Sequence, residues 1–229
     1  RMIDGNMAVQ MLTTVTKSPS GQNYESNSAD AGDNITLLAL VQRWPLATRD
    51  SLFARAVYQA ERLHKFASES DALELVTSSK ELKQVLKSRE AGSQVIAALL
   101  GTEGSHALDG DLANIQRLYD AGLRMMSLQH FFDNKLGGSL HGESNAGLSE
   151  FGRQAVREMD ALGIMIDVSH SSPRVVDDVL NLIDSPLIVS HTGFKGHCDR
   201  KRNISDDLIA RIAERGGLIG VGFWSEAES

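Results

Sequence analysis

Residues 163–170 (GIMIDVSH) and 186–191 (PLIVSH) are two short apolar runs, and each ends on Ser-His. Residues 171–185 lie between them, enough for a helix. Strand, helix, strand in a parallel sheet brings both carboxyl ends to the same side. His170 and His191 are therefore expected next to one another at one rim. Two neutral imidazoles meeting at a rim propose a metal site. The plainer reading is two solvated loop histidines, but the repeated apolar-Ser-His ending favours the metal.

Other residues fall at the same place in the pattern. Glu103 follows the apolar run 94–100 and sits among small residues in GTEGSH. A glutamate at the end of a core strand is costly to desolvate unless it is paired or metal-bound. Its two oxygens could bridge two ions about 3.5–4 Å apart, which would then clamp attacking and leaving oxygens. The alternative is a salt-bridged rim glutamate. His130 follows the next run, 123–128, and reads as a ligand, as a donor to a developing oxyanion, or as a capping residue. Arg202 lies in the basic stretch 200–202 after the His191 strand and overhangs the same rim. Arginine takes carboxylates bidentately, although such clusters are usually solvated. Asp167, inside the strand before His170, reads as a partner of an imidazole or as a buried polar residue. His106 and His141 read as structural or solvated, and His64 and His197 lack supporting context.

Around these residues strands and helices alternate. Strands are expected at 7–15, 94–100, 123–128, 164–168, 187–190 and 218–223, the last as a buried strand. Helices are expected at 50–68, at 78–88 with a capping-box start, at 112–121, at 149–162 from an N-cap Ser149, from Pro173, and from Ser205. Residues 17–34 are polar and read as a long, mobile loop. Short apolar strands alternating with helices point to an α/β fold with a parallel sheet. Ligand-type residues after four successive strands favour a (β/α)8 TIM-like barrel, where many strands feed one face, over a doubly wound sheet with one switch point. Six strands imply an incomplete barrel, read as one catalytic domain over 1–229.

Composition narrows the function classes. The chain has 229 residues, 41% hydrophobic and 23% charged, with net charge −7. The acidic balance and the lack of long basic runs argue against nucleic acid as a partner. One cysteine, Cys198, permits no internal disulfide. That fits a reducing compartment such as the cytoplasm, while secretion or membrane anchoring stays open. No run approaches a membrane span of about 20 residues. The chain starts at Arg1 and stops just after an apolar run, so both ends are expected to be cut from a longer protein. No Gly-x-Ser-x-Gly elbow or nucleotide loop occurs, and Cys198 lacks an activating setting.

The segments TEGSHAL, LQHFFDN, GLSEFGRQAVREMDALGIMIDVSH, PLIVSH and RNISDD, in this order, resemble the renal (membrane) dipeptidase family of zinc metallopeptidases. Residues 94–224 carry the resemblance; 1–93 match loosely, through GNMAVQ and the helix after Asp50. It implies a metal-dependent barrel hydrolase with two zinc ions per active site that cleaves dipeptides through a metal-bridged hydroxide, usually as a homodimer. By position Glu103 resembles the glutamate bridging the zincs, and His170 and His191 the histidines of the second zinc. His130, in His-x-x-x-Asn134, resembles the catalytic histidine that contacts the scissile group, with Asn134 beside the substrate. Arg202 resembles the arginine that holds the substrate carboxylate. The family's His-x-Asp pair sits at the end of its first strand, and its matching place would precede Arg1; a catalytic aspartate would follow Ser229. Gln129 stands where threonine is commoner, and His191-Thr-Gly departs from a serine-rich continuation. Two other functions fit the residues: another amide or lactone hydrolase on the same barrel, and an inactive barrel acting as a binding module.

Overall fold

The computed structural model describes residues 1–224, so the last five residues of the 1–229 domain lie outside the described part. Its strands are β1 (Val9–Thr14), β2 (Leu73–Leu75), β3 (Ile96–Thr102), β4 (Leu123–Ser127), β5 (Met165–Asp167), β6 (Ile188–Thr192) and β7 (Leu218–Val221). All pair in parallel in one sheet, in the order β1-β3-β4-β5-β6-β7, with the short β2 on the start of β3. Neighbours in the sheet follow chain order without reversal. Parallel crossovers are right-handed, so steps taken always in one direction stack the helices on one side. That is the winding of a (β/α) barrel rather than of an open sheet with a switch point.

Local chemistry sets the helix starts. In α2 (Leu52–Ser68) the Ser51 hydroxyl accepts from the Ala54 amide, and in α3 (Ser79–Glu90) Ser78 and Glu81 complete a capping box. Ser149 caps α5 (Glu150–Ala161) through the Gly152 amide, and Ser205 caps α7 (Asp206–Glu214) through Leu208. Ser172 caps α6 (Pro173–Leu182), where Pro173 takes the first position and loses no hydrogen bond. With α4 (Ala113–Asp120), helices α2, α5, α6 and α7 bury one apolar cluster against the sheet, including Leu100, Met126, Ile166 and Val189 from the strands and Leu118, Val156, Val179 and Ile212 from the helices, while Val85 of α3 packs with Val76 and Ala97 in a smaller one.

Two expectations change, and two elements are new. Residues 17–34 are a loop, but an anchored one: Asp33 accepts from the Ser18 amide and Arg55, and Asn27 donates both its backbone and side-chain N–H to the His141 carbonyl. The loop leads into α1 (Asn34–Val41), which periodicity misses because its sequence is apolar on every side. β2 is too short to show alternation. The final strand is not buried: Leu218 is 66% and Val221 50% exposed, because among the described residues β7 pairs only with β6. No helix among the described residues is long and apolar enough to cross a membrane.

Candidate metal centre

Each side chain of the site is delivered by the end of a strand. The β1–β3 ladder runs on one step past β3, where the Glu103 amide donates to the Thr14 carbonyl (3.0 Å). The chain then turns sharply at Gly104, with φ +92°. A Cβ there would lie 2.2 Å from the His106 ring and 3.2 Å from the His130 Cβ, so only glycine fits. Ser105 fastens this turn to β4 through its amide to the Leu128 carbonyl and its hydroxyl to the Ser127 carbonyl. His130 follows β4, and the Ser139 hydroxyl holds its carbonyl. His170 follows β5, with its carbonyl bound by the Leu140 amide at 2.8 Å. His191 lies within β6.

These four residues converge. Glu103 Oε1 lies 3.3 Å from His170 Nε2 and 3.6 Å from both His191 Nε2 and His130 Nε2. The Nε2 atoms of His170 and His191 are 3.0 Å apart. Glu103, His170 and His191 can each point one ligand atom at a common position, all within 4.8 Å of one another. Tetrahedral zinc with bonds of about 2.0–2.1 Å holds its ligand atoms about 3.3 Å apart, and the 3.0–3.6 Å separations here match that edge length.

The charges fit a cation as well. Burial lowers the pKa of His170 well below its usual 6.5, with the Arg202 charge a further cause. Burial and then Arg202 bring His191 to about 4; burial and then the neighbouring His191 bring His130 to about 4. At neutral pH these rings are uncharged, so the histidines keep lone pairs and their approach to Glu103 is no ion pair. Burial, followed by repulsion from Asp167, pushes the Glu103 carboxyl up, while Arg202 and the Thr13 hydroxyl partly offset this. A desolvated carboxylate among neutral imidazoles is what a divalent ion would neutralise.

The remaining residues are placed as follows. Arg202 is not a solvated overhang but 3% exposed. Its guanidinium ties the ends of β5 and β6 together, donating to the Ser169 (2.9 Å) and His191 (2.8 Å) carbonyls and lying 5.3 Å from the Trp224 ring. Among the described residues no carboxylate comes within ion-pair distance of it, and burial draws its pKa down to about 10. It also lines a cavity of about 390 Å³ with Lys195 and Lys201, whose wall carries no acidic side chain. Asn134 is not brought to the cluster: its amide nitrogen donates to the Leu128 carbonyl and its oxygen accepts from the Leu136 amide, so both ends shape the loop. His141 is fully buried, stacked on Phe131 (4.8 Å) and edge-on to His170 (5.7 Å), which makes it a wall of the site rather than a solvated residue. His106 is buried outside the cluster against Phe132. Ser169 and Ser190 precede the two histidines, and sequence reasoning gave them no role; their repetition in both Ser-His endings was the available signal.

A sequence profile described as membrane dipeptidase (peptidase family M19) matches residues 1–227. Dipeptidase 3 of Mus musculus is 34% identical over 194 residues, covering 77% of this chain and 36% of that protein. An uncharacterised dipeptidase of Schizosaccharomyces pombe is 36% identical over 131 residues, covering 56% of this chain and 32% of that one. The chain thus spans about a third of the length of these curated relatives. Among solved structures, a metallo peptidase from Rhodobacter sphaeroides bound to a phosphinate mimic of L-Ala-D-Ala superposes with TM-score 0.72 at 22% identity, over 99% of this chain and 64% of that one. A dipeptidase of family M19 does so with TM-score 0.71 at 22% identity, over 96% and 60%. At that identity the structures speak for the fold, which is the TIM-like barrel seen in part here. The profile match extends over nearly the whole sequence, and on that ground the chain belongs to the membrane dipeptidase family, peptidase family M19.

Proposed function

We propose that this protein is a zinc-dependent dipeptidase whose two-ion site draws Glu103, His170 and His191 from this chain. The observation that carries the reading is the convergence of one carboxylate oxygen and two neutral imidazole nitrogens at 3.0–3.6 Å. The Rhodobacter sphaeroides relative is described as bound to a mimic of a dipeptide, and a dipeptide is the substrate class assigned here. When bound at these residues, zinc would supply Lewis acidity towards the amide carbonyl and lower the pKa of a water for attack on it.

The chain's own residues do the rest. His130 is uncharged at neutral pH, so it acts as a neutral N–H donor towards the oxygen of the scissile amide. Arg202 holds the substrate's terminal carboxylate. It has a buried charge without an acidic partner and N–H groups beyond the two spent on carbonyls. Its anchoring to the ends of β5 and β6 fixes the distance from that carboxylate to His170 and His191. The aromatic wall of Phe131 and His141 keeps water from the His170 side. Asn134 acts by shaping the loop that carries His130.

The test is a panel of L,L- and L,D-dipeptides, their C-terminal amides, N-acyl amino acids and lactones, given to the zinc-loaded protein. Dipeptide hydrolysis is expected, with the amides cleaved at least tenfold more slowly because Arg202 has lost its partner. Trace zinc content together with no dipeptide turnover sinks the proposal; turnover of lactones alone moves it to another hydrolase class. A homodimer is part of the reading and is checked by light scattering.

A further inference from the structure

Asp167, at the end of β5, is 2% exposed, and its carboxylate is saturated by the two serines that precede the histidines. Oδ1 accepts the Ser169 amide (3.1 Å), the Ser169 hydroxyl (2.6 Å) and the Ser190 amide (3.0 Å). Oδ2 accepts the Ser190 hydroxyl at 2.6 Å. The Ser190 oxygen also lies 2.8 Å from His191 Nδ1. A carboxylate only accepts, and a serine has a single hydroxyl proton. With that proton on Asp167, Ser190 has only lone pairs to offer His191. The two hydroxyls approach each other at 2.9 Å. A proton along that line would leave a carboxylate oxygen facing a bare hydroxyl oxygen at 2.6 Å, so the carboxylate keeps both. Nδ1 of His191 must then be the protonated nitrogen, and Nε2 carries the lone pair. Hydrogen positions of this kind follow from the network around them.

We propose that Asp167, acting through the Ser190 hydroxyl, fixes the His191 imidazole in its Nδ1–H tautomer and aims the Nε2 lone pair at the point shared with Glu103 and His170. Asp167 and Ser190 are positioning residues: neither touches the ligand point. The proposal rests on the metal-site reading for its purpose, but not for the tautomer. It also explains why this histidine needs such a device. His191 is a third exposed on its side chain, whereas His170 is 2% exposed and held by the rings of Phe131, His130 and His141. Packing encloses His170; His191 meets Trp224 and His170 edge-on but stays a third exposed, so its hydrogen bond adds what packing leaves open. Histidine ligands commonly give their second N–H to a carboxylate or carbonyl; here a serine stands between the ring and the carboxylate.

Two measurements test this. In the first, nitrogen-15 NMR of histidine-labelled, chelator-treated protein reads the His191 tautomer without metal. Protonated Nδ1 in the wild type, with loss of that preference in Ser190→Ala, is expected; protonated Nε2 in the wild type overturns the proposal. In the second, zinc affinity is measured by chelator competition. Ser190→Ala is expected to bind zinc 10–100-fold more weakly, and Ser190→Thr, which keeps the hydroxyl, within about threefold of wild type. Equal weakening in both variants, or none in Ser190→Ala, overturns it. Should the wild type bind no zinc, the metal reading falls, and the NMR result still decides the tautomer.

Discussion

Replacing Glu103 with glutamine separates the shape of the site from its charge. The glutamine fills the same space at the end of β3 and still accepts from Thr13, but it removes the negative charge. The Glu103 carboxyl has its pKa raised by burial, so its charged form is disfavoured in the folded state and costs stability above the pKa of the unfolded chain. In metal-free protein at pH 7, Glu103→Gln should therefore melt at or above the wild-type temperature. With zinc the order reverses. At a free zinc concentration of about 100 times Kd, binding stabilises the folded state by about 2.7 kcal/mol. An unfolding entropy of about 2.1 cal/mol/K per residue gives roughly 0.5 kcal/mol/K for a chain of this length. Zinc should then raise the wild-type midpoint by about 6 °C, and that of the variant by less than about 2 °C at the same concentration. Scanning calorimetry with and without zinc measures both increments. A variant that melts lower than wild type without metal, yet keeps the full zinc increment, would refute the assignment of Glu103 as a buried ligand.

Three further outcomes follow from the geometry. Gly104→Ala places a methyl against His106 and His130 at a backbone angle disfavoured for alanine; it should cost about 1–3 kcal/mol in denaturant titration and weaken zinc binding, since the turn carries Glu103. Arg55 is 2% exposed and bonds the carbonyls of Thr16, Thr48 and Arg49, the Thr36 hydroxyl and Asp33; Arg55→Met should lower stability by about 3–5 kcal/mol, or about 6–10 °C, and free the 17–34 loop to protease. Finally, acid should destabilise the metal-free protein in a defined window. His130 and His141, 7% and 0% exposed, have pKa values brought down to about 4, chiefly by burial, from 6.5. Between those values the unfolded chain binds protons that the folded one does not, so stability falls as pH drops from 6.5 to 4. At about 1.4 kcal/mol per pKa unit the loss is up to roughly 3 kcal/mol for each ring. Urea titrations giving one stability at pH 7 and pH 4.5 would contradict this.

Much of the architecture was legible because it is local. The caps at Ser51, Ser78, Ser149, Ser172 and Ser205 act within four residues of themselves, so the helix starts could be read from the chain. The winding was legible because parallel strands joined by helices must share a carboxyl edge, which put Glu103, His130, His170 and His191 on one rim. What escaped reading had no periodic signal. α1 is apolar on all sides, β2 has three residues, and β7 has an apolar sequence but a single neighbour.

The sequence by itself determined the fold class, the rim and the types of side chain gathered there, since these depend on order along the chain and on side-chain chemistry. Only the tertiary structure decided how those residues share their protons and charges. It buried Arg202 against two backbone carbonyls instead of leaving it in solvent. It turned Asn134 into its own loop, made His141 a wall, and joined Asp167 to His191 through Ser190. Those outcomes depend on which groups lose water and on where the chain's turns bring side chains, as when Arg202 meets Ser169 and Ser190 meets Asp167, and neither is written in local spacing.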